Sequence, residues 1–199
     1  MLVLGAIIVR DGTVPGWEES LFRTVNDLPG ALNPVLWPVQ QLGVLVIGPI
    51  VAIVALVLRR YRLAVAALIV TAAKLVFERI VKAVVSRERP FTSIGSDIHL
   101  RGDVSTSGES FVSGHAILVA ALATVIWPYL PARWRPVLWV VVALVMIGRV
   151  YVGAHNPLDV VCGAALGVAL GMAVNLLLAA PDGRRHRAAT EADMRPISG

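Results

Sequence analysis

Hydrophobic residues fall into long runs along the chain, and short polar segments separate the runs. A helix that crosses the hydrocarbon core of a bilayer needs about 20 apolar residues, with roughly 17 to 25 tolerated. Five runs approach this length, the third and fourth being short by that standard: residues 35–58, 63–82, 115–130, 137–152 and 158–180. An apolar stub at residues 2–9 indicates the end of a first helix that is short or incomplete. The pattern predicts an all-α, polytopic membrane helical bundle of about six transmembrane helices.

An interfacial amphipathic helix is predicted between the stub and the second span. Its apolar positions recur at helical spacing and are Trp17, Leu21, Val25 and Leu28. Glu18 and Glu19 fall in its first turn, where the helix dipole favours anions, and Pro29 ends it. Such a helix lies in the membrane interface or packs on the other spans. Neither alternative gives it a chemical role.

Composition supports the membrane setting. The 199 residues are 57% hydrophobic and 16% charged, with a mean hydropathy of +0.76, which excludes an ordinary soluble domain. The net charge of +5 does not indicate nucleic acid binding, because the arginines lie beside apolar runs without interleaved aromatic residues; we expect the lipid bilayer and its anionic headgroups as partners. Cys162 is the one cysteine and lies in the last apolar run, which excludes an intramolecular disulfide and predicts a small core residue.

The distribution of cations predicts how the chain is oriented in the membrane. Arginines mark the connection between the second and third helices, the connection between the fourth and fifth, and the C-terminal segment. They are Arg59, Arg60, Arg62, Arg133, Arg135, Arg184, Arg185, Arg187 and Arg195. Positively charged segments are typically cytoplasmic. Residues 1–180 are then one membrane-embedded domain of the cell membrane, and residues 181–199 are a basic cytoplasmic tail predicted to be disordered.

Three polar clusters interrupt the apolar pattern at the ends of helices. They are Lys82 with Arg89-Pro90, Ser113-Gly114-His115, and Arg149 with His155 and Asp159. With the orientation above, all three clusters meet at the extracytoplasmic side. Charged and titratable residues at this depth are costly and mark functional sites. The sequence therefore predicts one extracytoplasmic site that is assembled from distant segments.

These residue types suit phosphoryl transfer, in which catalysis rests on positioning and on stabilising the charge of the phosphate oxygens. Lys82, Arg89 and Arg149 supply three cations, and the two guanidinium groups match phosphate oxygens with forked donors. Ser113 and Gly114 offer a hydroxyl and backbone N–H groups at a helix start. One imidazole can attack phosphorus while the other protonates the leaving oxygen. We expect no metal and no other cofactor, because the cations already stabilise the charge.

The ordered motifs Lys82-x6-Arg89-Pro90, Ser113-Gly114-His115 and Arg149-x5-His155-x3-Asp159 resemble those of the type 2 phosphatidic acid phosphatase superfamily, the membrane lipid phosphate phosphatases related to glucose-6-phosphatase and vanadium haloperoxidases. The resemblance extends from the second helix to the last. It implies that His155 is the nucleophile that forms a phosphohistidine, that Asp159 orients and polarises it, and that His115 is the general acid. By the same resemblance, the residues that bind the substrate phosphate are Lys82, Arg89, Ser113, Gly114 and Arg149.

Two positions depart from the family pattern. Val112 precedes Ser113 where the family usually has proline, a change that affects the rigidity of the loop more than the chemistry. Gly148 precedes Arg149 where the family commonly has serine, so a hydroxyl that could contact phosphate is lacking. We expect a modest effect from both departures.

Each site residue also has an interpretation without chemistry. Asp159 follows Asn156-Pro157 and can cap the last helix. Glu78 lies four residues before Lys82, so that helix can carry an ion-pair ladder with Lys74 as its third member. His115 can be an interfacial histidine and Arg149 a snorkelling cation. The structural interpretations need a separate cause for each of these residues. One functional site on one membrane face would explain all of them together.

Two further segments have structural interpretations. Gly163, Gly167 and Gly171 continue the four-residue spacing from Asp159 and form a stripe on which another helix can pack closely. The stripe lies beneath the site or serves as a homo-oligomer interface, and the sequence leaves both open. Residues 91–112 are long for a connection, which suggests a lid or a substrate-facing loop.

The expected function is that of a metal-independent membrane phosphatase with a membrane lipid as substrate. The resemblance favours polyprenyl pyrophosphate, followed by phosphatidic acid and phosphatidylglycerol phosphate. A lipid phosphotransferase would use the same residues. A non-catalytic lipid-binding scaffold would keep the fold but lose His155, Asp159 or His115, and a vanadate-dependent oxidase would share the oxyanion pocket without the membrane spans.

Overall fold

A computed structural model describes residues 2–9 and 12–193, and within these residues the chain is helical, with one isolated bridge between Glu88 and Glu109. The all-α prediction is confirmed. The helices are α1 (Leu2–Ile8), α2 (Gly16–Asn26), α3 (Asn33–Gln40), α4 (Ile47–Val57), α5 (Tyr61–Val84), α6 (Pro90–Ser93), α7 (Gly114–Ile126), α8 (Arg135–Tyr151) and α9 (Pro157–Asp193).

Two stretches of the described chain are long and apolar enough to cross a membrane, Ala132–Tyr151 and Pro157–Leu178. A bent pair, Gly30–Gly43 with Ile47–Val57, is a third candidate, and Gly114–Tyr129 is apolar but shorter. Large apolar side chains are exposed on the outer helices, as on α4 and α8. These features indicate a membrane protein. The count of six spans stays a prediction.

The continuous span predicted over residues 35–58 is wrong, because the helix is broken. α3 ends at Gln40, a 3-10 turn covers Gln41–Gly43, and α4 begins at Ile47 with a bend of 72°. Pro38 removes a backbone donor inside α3, and Val44 is extended, so the helical hydrogen bonds do not continue. The bend takes the chain away from α8, on which α3 packs, and towards α5, on which α4 packs.

α7 is the central helix of the fold. It is almost entirely buried and contacts α5, α8, α9 and the Gln41–Gly43 turn. Its closest approach is to the glycine stripe of α9. A Cβ atom added at Gly163 would lie 2.7 Å from the Ser113 carbonyl oxygen, and one at Gly171 would lie 2.6 Å from Thr124 Cβ. The stripe therefore packs beneath the site, and a homo-oligomer interface through it is not available because α7 covers it.

The amphipathic helix is present as α2. Trp17 and Leu21 are exposed on its outer face, whereas Glu18, Phe22 and Asn26 are buried against the rest of the chain. α2 packs on α8 and α9. α2 nevertheless reaches the candidate site through Glu18, whose contacts are described below.

The arginine-bearing connections lie at the same end of the bundle. The Arg60 guanidinium lies over the Tyr129 ring at 5.9 Å, and the Arg135 guanidinium lies over the Trp127 ring at 5.5 Å. Which membrane side this end faces stays a prediction. The helix assignment of α9 continues through residues 181–193 of the predicted tail, and residues 194–199 lie outside the described residues. Cys162 is a buried core residue, as predicted.

Candidate active site

Asp159 lies in the first turn of α9 and is fully buried. Its Oδ2 accepts a hydrogen bond from the backbone N–H of Asn156 at 2.8 Å, which is the returning half of a capping box. The carboxylate therefore caps α9, as its structural interpretation predicted. The same oxygen also lies 3.7 Å from His155 Nδ1, so the carboxylate that caps the helix is also next to the imidazole.

His155 lies in the loop between α8 and α9 and is 3% exposed. Its Nδ1 is 3.3 Å from Ser110 Oγ and 3.7 Å from Asp159 Oδ2. Ser110 in turn donates to Asp159 Oδ2 at 2.5 Å, so its hydroxyl links the carboxylate to the imidazole. The polar contacts of His155 within the described part of the chain are on the Nδ1 side. Nε2 is thus the nitrogen that remains for a substrate.

The ionisation of His155 is shifted by its surroundings. Burial lowers the pKa of His155 to about 4, although the adjacent Asp159 carboxylate acts in the opposite direction. The positive charges of Arg149 and Arg89 also contribute to this lowering of the pKa of His155. The imidazole is therefore neutral around pH 7, which is the form that can act as a nucleophile.

A buried ion network holds Asp159 from the other side. Arg87 Nη1 lies 2.7 Å from Asp159 Oδ1, and Arg87 Nη2 lies 2.6 Å from Glu18 Oε2. All three side chains are fully buried. Glu18 also accepts the backbone N–H of Leu158 at 2.8 Å, at the start of α9. α2 and the segment before α6 therefore fix the carboxylate that faces His155.

The first cluster contributes Arg89 and Lys82 in different ways. Arg89 donates to the carbonyl oxygens of Ser107 and Ala154, both at 3.0 Å, and Ala154 directly precedes His155. Lys82 Nζ lies 2.8 Å from Glu78, whose other oxygen lies 2.7 Å from Lys74 Nζ. The ion-pair ladder on α5 is confirmed. Phosphate binding by Lys82 stays a prediction.

The second cluster forms the start of α7. Ser113 is the N-cap residue, and its backbone N–H donates to the Asp159 carbonyl oxygen at 3.0 Å, which joins the second and third clusters. Its hydroxyl is buried and has no hydrogen-bond partner within the described residues. A Cβ atom added at Gly114 would lie 2.5 Å from a carboxylate oxygen of Glu78. Glycine at this position lets α5 approach the N-terminus of α7.

His115 and Arg149 line a common cavity of about 340 Å³ together with Gln40 and Gln41. Arg149 lies in the last turn of α8, and its Nη1 donates to Gln40 Oε1 at 2.6 Å. A Cβ atom added at Gly148 would lie 3.0 Å from Gln40 Cβ. Glycine in place of the family serine therefore lets α3 pack closely enough for Gln40 to reach Arg149.

The loop of residues 91–112 is fastened to the bundle. The Asn26 side chain donates to the His99 carbonyl oxygen and accepts the His99 N–H, both at 2.8 Å. Arg101 donates to the carbonyl oxygens of Asn26, Leu28 and Tyr151. Ser107 and Ser110 contact Arg89 and Asp159, so the loop lies against the predicted site, and its role as a lid or as a substrate-facing loop stays a prediction.

The structure brings all eight predicted site residues into one connected region. Sequence reasoning missed four polar residues of this region: Ser110, Arg87, Glu18 and Gln40. Gln40 had a usable signal, since Gln40-Gln41 interrupts an apolar run, and Arg87 lies inside the first motif. Within residues 2–9 and 12–193, no group of three His, Cys, Asp or Glu side chains is placed to hold a metal ion.

Comparison with known proteins places this geometry in a family. The model of the PAP2 superfamily matches residues 61–180. An undecaprenyl-diphosphatase of Sulfolobus acidocaldarius is 28% identical over 155 residues, which are 76% of this chain and 74% of the relative.

Two solved structures share the fold. Aquifex aeolicus LpxE aligns with a TM-score of 0.69 and 24% identity, covering 78% of this chain and 92% of that one. A transmembrane PAP2-type phosphatidylglycerolphosphate phosphatase of Bacillus subtilis aligns with a TM-score of 0.67 and 22% identity, covering 99% and 97%. The family match spans more than half of the chain and includes the clusters around His115 and His155, so the chain belongs to the PAP2 superfamily.

Proposed function

We propose that this protein is an integral membrane lipid phosphatase that hydrolyses a phosphomonoester or pyrophosphate on a lipid, with polyprenyl pyrophosphate as the preferred substrate. The observation that carries the proposal is the orientation of His155. Its Nδ1 faces Ser110 and Asp159, which leaves Nε2 free on a neutral imidazole. The preference for a polyprenyl chain is supported by the similarity to an undecaprenyl-diphosphatase.

The mechanism follows from this orientation. Nε2 of His155 attacks phosphorus, the bond from phosphorus to the leaving oxygen breaks, and His115 gives its proton to that oxygen. His115 then takes a proton from water, the resulting hydroxide attacks the phosphohistidine, and inorganic phosphate leaves. Asp159 stabilises the positive charge that develops on His155 in the first step.

The remaining predicted residues bind the phosphate. Arg89 and Arg149 supply forked donors, Lys82 supplies a point charge, and Ser113 and Gly114 supply a hydroxyl and N–H groups at the N-terminus of α7. The unpartnered Ser113 hydroxyl and the unpartnered Nε of Arg149 are buried donors of the described chain that a phosphate would satisfy. This site faces the extracytoplasmic side in the predicted orientation.

The test is phosphate release by the purified protein in detergent, with chelator present, from polyprenyl pyrophosphate, phosphatidic acid and phosphatidylglycerol phosphate. We expect His155→Ala to abolish release, while the exposed His99→Ala retains it. Release that survives in His155→Ala would contradict the proposal. Vanadate binding without release, or transfer of phosphate to an added lipid alcohol, would favour a phosphotransferase. A folded protein that shows neither release nor vanadate binding would indicate a scaffold.

A further inference from the structure

His115 borders a polar cavity of about 340 Å³. The turn that follows α3 bounds this cavity, because a Cβ atom added at Gly43 would lie 2.6 Å from His115 Cβ. Small-molecule sites are typically concave and hold a few well-placed polar groups. The polar residues that line this cavity are Gln40, Gln41, Arg101, Asp103, His115 and Arg149.

Gln40 presents an amide N–H group to the cavity. Arg149 can only donate hydrogen bonds, so its 2.6 Å contact identifies the bonded atom of Gln40 as the carbonyl oxygen Oε1. The Nε2 amide has no hydrogen-bond partner within the described part of the chain, yet it is not enclosed by protein atoms. Gln40 is only 3% exposed and lines the cavity, so this small accessible part includes Nε2. A donor is therefore held beside the Arg149 guanidinium and open to a ligand.

Close packing of α3 on α8 fixes the Gln40 side chain at this place. A Cβ atom added at Gly148 would lie 3.0 Å from Gln40 Cβ and 3.2 Å from the Leu36 carbonyl oxygen. Any side chain at position 148 would push α3 outward and withdraw the amide from the cavity. The glycine therefore makes Gln40 a fixed part of the cavity wall.

The charges around the cavity favour an anion. Arg101 and Arg149 are positive and Asp103 is negative, which leaves a formal charge of +1. Asp103 is exposed and makes no ion pair within the described residues, so its carboxylate is the one lining group that opposes an anion. An anion beside His115 would be attracted by Arg149 and would accept the Gln40 N–H.

The proposed chemistry decides which anion this is. Arg149 binds the transferred phosphate and His115 protonates the leaving oxygen, so a cavity lined by both adjoins the bond that breaks. The leaving group of a phosphomonoester is a neutral alcohol, which gains little from Gln40 and Arg149. The leaving group of a pyrophosphate is itself a phosphate, and its charged oxygens match both donors.

We infer that Gln40 binds the lipid-linked phosphate of a pyrophosphate substrate and so determines a preference for pyrophosphates over phosphomonoesters. The inference rests on the proposed function and adds the residue that distinguishes the two substrate classes. Nε2 of His155 attacks the terminal phosphorus, the bond from this phosphorus to the bridging oxygen breaks, and His115 gives its proton to that oxygen. The lipid monophosphate leaves with the bridging oxygen, and water then releases inorganic phosphate from His155.

The test compares farnesyl pyrophosphate with farnesyl monophosphate, which share one hydrocarbon chain and differ by one phosphate group. The measured quantity is the ratio of their kcat/KM values for phosphate release in detergent. We expect Gln40→Met to lower this ratio about tenfold, which is the effect of losing one hydrogen bond to a charged group. Loss of the contact with Arg149 would affect both substrates alike and would cancel in the ratio. A wild-type melting temperature shows that the variant is folded.

A second variant keeps the test independent of packing around Gln40. Asp103→Asn removes the opposing charge at an exposed loop position and should raise the ratio. The matched control is Asp97→Asn, which removes a charge from the same loop where the carboxylate pairs with Arg23 at the surface, and it should leave the ratio unchanged.

The inference is overturned if release requires His155 and a folded Gln40→Met protein keeps the wild-type ratio, or if Asp103→Asn does not raise it. A wild type that accepts only the monophosphate overturns it as well. If the wild type accepts only the pyrophosphate, inhibition by vanadate replaces the monophosphate as the reference. If the wild type releases phosphate from neither substrate, or if release does not require His155, the proposed function itself fails.

Discussion

Arg87 Nη1 lies 2.7 Å from Asp159 Oδ1, although 72 residues separate them in the sequence. The same guanidinium bonds Glu18 of α2, and no member of this network is accessible to solvent. Removing one partner from a buried ion pair leaves an uncompensated charge in the interior. The orientation of the proposed nucleophile therefore depends on a helix near the N-terminus.

Glu18→Gln should destabilise the protein strongly. Arg87 stays paired with Asp159 in this variant, but Arg87 and the Leu158 N–H lose a charged acceptor, and a buried hydrogen bond to a charged group contributes about 1.5 to 3 kcal/mol to the free energy of unfolding. Thermal unfolding in detergent measures this effect. Glu19→Gln is the matched control, since the neighbouring Glu19 pairs with Arg23 at the surface and should leave the melting temperature unchanged. Equal melting temperatures for the two variants would contradict the importance of the buried network.

Ser110→Ala should lower kcat while leaving the fold intact. The hydroxyl links Asp159 to His155, and a hydrogen bond to a charged group is worth about 1.5 to 3 kcal/mol, which corresponds to roughly tenfold to a hundredfold in rate. Steady-state kinetics on the preferred lipid gives the value. Ser107→Ala, at an exposed position of the same loop, should retain the wild-type kcat. A wild-type kcat for Ser110→Ala would mean that Asp159 orients the imidazole without the serine.

The acid limb of the pH profile should lie far below the pKa of a free histidine. Burial lowers the pKa of His155 to about 4, so the nucleophile stays neutral until the pH falls to that region. kcat/KM should therefore be lost towards pH 4 rather than near 6.5. The substrate phosphate itself titrates near pH 6. Two substrates with different phosphate pKa values therefore distinguish titration of the substrate from titration of His155. If the acid limb of kcat/KM lay near pH 6.5 for both substrates, the prediction that His155 stays neutral down to about pH 4 would be contradicted.

The same shift predicts how stability depends on pH. The folded protein binds the His155 proton only below about pH 4, whereas the unfolded chain binds it below the ordinary value of 6.5. This residue therefore destabilises the folded state progressively as the pH falls from 6.5 towards 4. Chemical unfolding at several pH values should show this loss in the wild type and a smaller loss in His155→Ala.

Glu78 and Lys82 should have opposite effects on anion binding. The carboxylate pairs with Lys82 and lies against Gly114 at the start of α7, where it opposes a phosphate electrostatically. Glu78→Gln should strengthen inhibition by vanadate, and Lys82→Gln should weaken it. Inhibition curves for both variants test the phosphate-binding role of Lys82. Unchanged inhibition in both would leave the ladder as a purely structural feature of α5.

The helical class and the proximity of the predicted site residues could be inferred from the sequence because both depend on local signals. Apolar runs identify membrane helices, and the three clusters fall at helix ends where a charged residue is conspicuous. The structure connects all three, as the contacts of Ser113 with Asp159 and of Arg89 with Ala154 demonstrate. Asp159 is instructive, since its capping contact is confirmed and the same carboxylate lies 3.7 Å from His155 Nδ1, where the proposed orienting role requires it.

Features that depend on tertiary packing were not predictable. The break after Gln40 occurs inside an apolar run, and its two halves pack on different helices, α3 on α8 and α4 on α5. Glu18 was predicted only as an anion in the first turn of a helix, because no local signal pairs it with Arg87. Ser110 lies in an irregular loop without periodicity, so its position between His155 and Asp159 is apparent only from the folded chain.

Gly167→Ala should destabilise the protein although it adds only one methyl group. A Cβ atom at this position overlaps the carbonyl oxygen of Ile117 on α7, and backbone atoms of a buried helix cannot move aside independently. The two helices must separate, which also displaces Ser113 and Asp159 at their common end. Gly16→Ala is the matched control, because a Cβ atom there has no neighbour within 4 Å. We expect a lower melting temperature and lower activity for Gly167→Ala alone, and wild-type values for it would mean that α7 and α9 are not in close contact.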